Sequence, residues 1–190
     1  MIHFYAKVDG RLKELEEPEV SCWINITPPF SHEELEEVAQ RFDLPLDFLT
    51  DSLDLDERSR YEREEDVRLI VVNTPVLNEA EDENDAIYIT IPIGIILTIE
   101  HIITITAFEN PVLQLFLDEK VRNFDPSDDV LFILQIFEQN VYRFLTCLKK
   151  LNLKRNLMEQ ELYNSSRNKE LKQLLSIEKS LVYFVNTLSA

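Results

Sequence analysis

The chain has 190 residues, 45% of them hydrophobic, enough for one ordinary domain or for a domain with a helical appendage. Nineteen Lys and Arg against 36 Asp and Glu give a formal net charge of −17, a surface that repels phosphate backbones and anionic lipid, so nucleic acid is not expected as a partner. Two glycines, Gly10 and Gly94, are too few for a GxGxxG turn or a P-loop, and neither the two cysteines nor the three histidines fall at zinc-motif spacing.

The alternation in His3-Phe4-Tyr5-Ala6-Lys7-Val8, followed by Asp9-Gly10, predicts a strand entering a tight turn. Cys22 to Thr27 reads as a second strand, ended by Pro28-Pro29. Ser31 then caps a helix whose Glu34 reaches back to close a capping box, with Leu35, Val38, Ala39 and Phe42 as its apolar stripe. A second short helix is expected from Pro45 to about Leu55, with proline in its first turn. After the charged run Asp54 to Asp66 come three β-rich segments, Val67 to Leu77, Ala86 to Ile99 and Ile102 to Phe108. Their links are the acidic run Glu79 to Asp85 and the Glu100-His101 turn, so antiparallel pairing is the economical reading. Leu69-Ile70-Val71-Val72 is continuously apolar, as in a strand covered on both faces by helices. The uncharged stretch from Ala86 to Ile99 has 14 residues, short of the roughly 20 that a membrane helix needs, and a soluble chain is expected.

The remainder reads as helical. Residues 1 to 130 carry 10 basic and 31 acidic side chains, whereas residues 131 to 190 carry 9 and 5, so two physically different parts follow. Val130, Leu134, Phe137, Val141, Phe144, Leu148 and Leu151 step by four and three, the seam of a helix packed lengthwise on another; internal packing is its commoner meaning, a docking site the alternative. Ser127 is its expected cap. A polar break from Asn164 to Asn168 precedes a second helix carrying Leu171, Leu174, Leu181, Val185 and Leu188. That helix is still amphipathic at Leu188, with no capping glycine after it, which suggests a chain that continues past Ala190. The fold expected is α+β: a mixed, largely antiparallel β-sheet between helical layers (α/β/α) over residues 1–126, then a long antiparallel helical hairpin over 127–190.

No nucleophile and base pairing is written in the chain, and with 36 carboxylates an acid and base pair carries no information, so no enzyme is predicted. Cys22 and Cys147, unpaired in a chain without a signal peptide, suit a reducing cytosol. Trp23 reads as a core residue. The distinctive stretch is Leu44 to Arg58. On a helix, Leu46, Leu49 and Leu53 share one face while Asp47, Asp51 and Asp54 fall at i, i+4 and i+7 on another. Carboxylates so spaced repel by about 0.2 to 0.5 kcal/mol per pair, which a hard cation such as Mg²⁺ or Ca²⁺ would relieve; a solvated acidic face is the simpler reading of the same residues. Arg58 and Arg60, with Tyr61 and Glu62, follow directly and either tie this acidic helix to the body or form ordinary surface pairs.

Trp23-Ile24-Asn25-Ile26-Thr27, a helix, the Leu-Pro-x-x-Phe-Leu-x-Asp-x-Leu segment ending at Leu53, then Arg58, Tyr61 and Glu62 before a strand, resemble in order the N-terminal cytosolic domain of the CorA family of magnesium transporters. Ile95-Ile96-Leu97-Thr98 before a turn, and the long helix opened by Val130-Leu131-Phe132-Ile133-Leu134, are similar to that family as well. The resemblance implies a homopentamer, an α/β/α cytosolic domain of a cell (inner) membrane protein, a stalk helix, and two transmembrane helices with a Gly-Met-Asn signature. It also implies acidic residues between neighbouring subunits that bind Mg²⁺, or another divalent cation, weakly and hold a closed state. Asp51 matches one such position; its family partner lies on the stalk, beyond Ala190. The chain departs from the family at Thr50, where some relatives have a second carboxylate, and at Ser59, where an Arg-Pro-Lys pattern is common. The function implied is a divalent-cation-sensing cytosolic domain; the alternatives are a soluble acidic interaction module using its helical hairpin, and a hydrolase with carboxylate-bound metal.

Overall fold

The computed structural model describes residues 1–79, 85–162 and 167–190, and the side-chain surroundings of all of these except 161–162 and 167–170. The chain divides into two compact units, one of Met1–Asn73 with Ile91–Gln139 and one of Thr74–Thr90 with Asn140–Ala190.

Among the described residues seven strands, β1 (Ile2–Val8), β2 (Arg11–Leu15), β3 (Trp23–Ile26), β4 (Arg60–Glu64), β5 (Val67–Leu77), β6 (Tyr88–Leu97) and β7 (Ile102–Ile105), form one sheet ordered β2-β1-β3-β7-β6-β5-β4. Pairing is antiparallel between β1 and β2, β1 and β3, β4 and β5, and β6 and β7, and parallel between β3 and β7. The acidic link Glu79 to Asp85 lies mostly outside the described residues.

In the first unit the strand period of two separates the side chains onto two faces. Ile24, Ile26, Leu69, Val71, Ile96, Ile103 and Ile105 face one way, under helices α1 (His32–Phe42) and α2 (Leu46–Asp51), which contribute Leu35, Val38, Phe48 and Leu49. Trp23, Val72, Ile93, Ile95, Leu97 and Ile102 face the other way, against α3 (Pro111–Leu117) and the first turns of α4 (Asp129–Leu162), which supply Val112, Phe116, Phe132 and Ile136. The sheet is therefore covered on both faces, as the apolar run Leu69 to Val72 required. Trp23 is fully buried, its Nε1 donating to Thr104 Oγ1 at 2.7 Å, and that hydroxyl in turn donates to Asn25 Oδ1 at 2.8 Å. Asn25 and Thr104 are direct partners in the parallel pairing, so the two middle strands carry a satisfied polar pair inside an apolar layer.

The capping box at Ser31 and Glu34 is present, with Glu34 N donating to Ser31 Oγ and Ser31 N to Glu34 Oε2. The cap of α4 differs from the expected Ser127. Asp128 Oδ1 accepts from Leu131 N at 2.9 Å, while Ser127 turns its hydroxyl to Asp125. A carboxylate at that position answers both the free N–H and the positive helix end.

In the second unit, the later turns of α4 and helix α5 (Arg167–Leu188) enclose Tyr88, Phe144, Cys147, Leu151, Met158, Ile177 and Phe184. Part of the expected break, Asn164 to Ser166, lies outside the described residues. The expected seam is only partly internal: Phe144 and Leu151 are buried, but Val130, Leu134 and Val141 are exposed. Spacing alone fits two rows on α4, and the buried one begins at Phe132, whose ring meets Trp23, Phe116 and Phe124 at centroid distances of 5.1, 4.9 and 4.6 Å. On α5 the expected row is likewise turned out at Leu171, Val185 and Leu188. Here a hydroxyl decides the rotation. Ser180 Oγ accepts from the backbone N–H of Ile87 at 2.8 Å and of Tyr88 at 3.1 Å, which holds the Ile177, Ser180 and Phe184 face inward.

Candidate divalent-cation site

Helix α2 is six residues long, with Pro45 before it and Ser52 closing it. It sits hard on the sheet because β6 has glycine beneath it. A Cβ on Gly94 would lie 2.0 Å from Ser52 Oγ, 2.4 Å from Ser52 Cβ and 2.9 Å from Ile105 Cγ2. Ser52 is fully buried and donates to Phe48 O at 2.6 Å. The close approach of Ser52 and the burial of Phe48 and Leu49 fix where the neighbouring Asp51 emerges.

The three carboxylates do not share a helix face. Asp47, in the first turn, is exposed; Asp51 ends the helix; Asp54 lies past it in a tight turn, donating its N–H to Asp51 O and accepting Asp56 N at Oδ1. Asp51 is half-buried and held by Arg60 of β4, whose Nη2 lies 2.7 Å from Asp51 Oδ2. The same guanidinium reaches Glu57 Oε1 at 2.5 Å and Glu62 Oε2 at 3.1 Å. Partial burial alone would lower the Arg60 pKa, but its hydrogen bonds to Glu57, Asp51 and Glu62 outweigh that and raise it, so the arginine is a permanent cation. Asn73 Nδ2 donates to Glu57 O at 2.9 Å and anchors the turn from the sheet side.

Arg60, rather than Arg58, thus ties the acidic segment to the body. The sequence reading grouped Asp47, Asp51 and Asp54; the structure instead gathers Asp51, Glu57 and Glu62 around one arginine. The signal for this was an arginine set among acids at Asp51, Glu57 and Glu62, on a strand that composition hid. Among the described residues, no three His, Cys, Asp or Glu side chains stand close enough to hold a metal ion. A further acidic concavity of about 840 Å³ is lined by Asp43, Glu64, Glu65, Asp66, Glu100 and His101. His101 Nδ1 lies 3.7 Å from the buried Cys22 Sγ, and burial pushes both the imidazole pKa down and the thiol pKa up, the two neutral forms.

A sheet covered on both faces, with a short acidic helix seated on it and long helices after it, occurs in a family of cation transporters. Residues 18–190 match the family of CorA-like Mg²⁺ transporter proteins, and the chain belongs to that family. It is similar to the soluble domain of CorA from Methanocaldococcus jannaschii, with a TM-score of 0.81 and 22% identity over all of this chain and 75% of that one. The complete CorA magnesium transporter from the same organism gives 0.80 and 22%, and this chain spans 60% of its length. The ZntB cytoplasmic domain from Vibrio parahaemolyticus RIMD 2210633 gives 0.70 and 12%, over 98% of this chain and 74% of that one. No curated protein matches the sequence. The family is one of transporters, not enzymes. Among the described residues no helix is long and apolar enough to cross a membrane.

Proposed function

We propose that this chain is the cytosolic, divalent-cation-sensing domain of a CorA-type magnesium or divalent-cation transporter or channel, which works as a homopentamer within a longer membrane protein. The observation that carries the reading is the placing of charge. The first unit holds the whole −17 of the chain, and at its surface α2 and the turn after it present Asp47, Asp51 and Asp54 on a base fixed by Gly94 and Arg60. Copies brought side by side repel through such faces, and a cation between them reverses the sign of that term. With cation bound, neighbouring acidic faces tolerate close approach; with cation lost, repulsion loosens the ring and favours opening.

Asp47 and Asp54 face solvent and need no rearrangement to meet a hydrated ion, whereas Asp51 shares Arg60, so a cation there gains less than one meeting a free carboxylate. An affinity of about 10⁻⁴ to 10⁻³ M follows for a site of few, partly compensated carboxylates. Calorimetric titration with MgCl₂ of the longer protein containing this chain, beside its Asp51→Ala variant, tests the reading. Weaker binding in the variant is expected; superimposable isotherms would remove Asp51 from the sensor.

A further inference from the structure

Where β6 turns into β7, the acidic concavity forms a groove of about 840 Å³ between the end of α1, the β4 to β5 turn and the Thr98 to His101 turn. That is within the roughly 300 to 1,000 Å³ of sites that enclose a ligand. Of its carboxylates, Asp43, Glu64, Glu65, Asp66 and Glu100, none has a lysine or arginine partner among the described residues. Arg41, which also lines the groove, is turned to Glu17 at 2.6 Å and lies 5.4 Å from the Phe42 ring centroid. Burial keeps the His101 imidazole neutral beside Glu100, so it offsets nothing either. The groove is not only acidic. Phe42, Leu44, Val67 and Ile99 line it too, and Ile99 is 84% exposed. Its exposure is built in: Thr98 Oγ1 accepts from the N–H of Glu100 at 3.2 Å and of His101 at 2.9 Å, and Thr98 N donates to His101 O at 3.0 Å. Turn tips favour Gly, Asn, Asp and Ser, so a rigid turn that holds a branched apolar side chain out on the lip of a groove is a contact feature.

We propose that this groove docks a basic segment of a partner protein, with Lys or Arg on both sides of one apolar residue that meets Ile99. Charge and spacing select that occupant. No three of the carboxylates stand close enough to hold a metal ion, so their charge is spread for an extended cation rather than a compact one. Lys and Arg suit such a surface, because their aliphatic stems can lie along Phe42 and Val67 while their heads reach the carboxylates. A nucleic acid, an acidic peptide or a second copy carrying the same −17 is repelled. A basic segment is drawn in from a distance by that same charge, and Ile99 supplies the contact that a bare polycation cannot use. The docking goes beyond the cation reading and is independent of it, since it uses none of Asp47, Asp51 and Asp54.

Fluorescence anisotropy of a fluorescein-labelled Lys-Arg-Leu-Arg-Lys peptide, titrated with the 190-residue protein, tests the proposal. The expected Kd is about 10 to 100 µM at about 50 mM NaCl, weakening about tenfold near 300 mM as the charges are screened. Glu64→Gln/Glu100→Gln should weaken binding at least about fivefold, whereas Glu37→Gln/Glu138→Gln, which removes the same charge from elsewhere, should change it less than about twofold. Ile99→Ser, and separately a peptide with Ser for Leu, should each cost about fivefold, and the two together little more than either alone, because they remove one contact. Far-ultraviolet circular dichroism should be unchanged in every variant. Asp51→Ala should leave peptide binding intact, so failure of the cation reading and failure of this one are told apart. No binding, equal loss in the two charge variants, or indifference to Ile99→Ser would overturn the proposal. Spermine competing as well as the peptide, or MgCl₂ displacing it beyond NaCl of equal ionic strength, would overturn it too, by assigning the groove to a bare polycation or to a metal ion.

Discussion

Gly94→Ala is the smallest change that should move the candidate site without touching it. The new methyl would stand 2.0 Å from Ser52 Oγ and 2.4 Å from Ser52 Cβ, against the roughly 3.5 to 4.0 Å that carbon atoms require. Rotating the hydroxyl relieves the first contact but not the second, because Cβ is fixed to the backbone. The end of α2 must therefore lift by about 1 Å or more, dragging the buried Phe48 and Leu49 off the sheet and loosening the Ser52 to Phe48 hydrogen bond. Overpacking of this kind costs about 1 to 3 kcal/mol, and with two buried apolar residues moving together we expect about 2 to 3. Urea unfolding followed by circular dichroism measures it as a lowered midpoint at constant slope. The double variant Gly94→Ala/Ser52→Gly removes the offending Cβ and should recover more than half of the loss, whereas Gly94→Ala/Ser52→Ala, which keeps that Cβ, should recover little. A Gly94→Ala protein within about 0.5 kcal/mol of the parent, or equal rescue by both second substitutions, would refute the reasoning that glycine seats the acidic helix.

Two further outcomes follow from single side chains. Arg60→Gln leaves Asp51, Glu57 and Glu62 facing one another without their shared cation; because the pairs are partly exposed, the expected loss is about 1 kcal/mol at low salt, shrinking as NaCl is raised, and chemical denaturation at two ionic strengths checks it. His101 is held below its ordinary pKa by burial, against the opposing charge of Glu100, so the unfolded chain takes up its proton first as pH falls. The neutral-imidazole contribution is whole above about pH 6.5 and lost progressively below it; stability measured from pH 7.5 to 5 should fall more steeply in the parent than in His101→Gln, and parallel curves would dismiss the coupling.

Local signals in the chain were strong where local chemistry determines structure. The Ser31 and Glu34 capping box, the strand at Trp23 and the doubly covered run Leu69 to Val72 could all be read directly, since each depends on residues within a few positions. What escaped depends on distant partners or on surface chemistry. β2 and β4 are Arg-Leu-Lys-Glu-Leu and Arg-Tyr-Glu-Arg-Glu, with too little apolar alternation to announce a strand; β4 was hidden in a run that reads as a charged loop. The parallel pairing of Trp23–Ile26 with Ile102–Ile105 joins segments far apart in sequence, which no hairpin rule anticipates. Helix α3 was missed although Asn110 caps it and Pro111 opens it, a signal that was present. The expected α4 and α5 rows are inward only at Phe144, Leu148, Leu151 and Leu174, because both helices carry apolar residues on more than one side and the rotation is set by the aromatic cluster around Phe132 and by the hydroxyl of Ser180. At the candidate site, Arg58 and Arg60 are equally legible as partners for the acidic segment, and the choice of Arg60 for Asp51 comes from the antiparallel return of β4 along β5.

The sequences of β2 and β4 matter for another reason: they are the two outermost strands. Each ends the ladder with a fringe of alternating or clustered ions, so another chain laying its own backbone alongside would have to strip water from those side chains before gaining a single amide bond. Polymerisation by strand addition is thereby discouraged at both margins, without a proline or a covering helix at either.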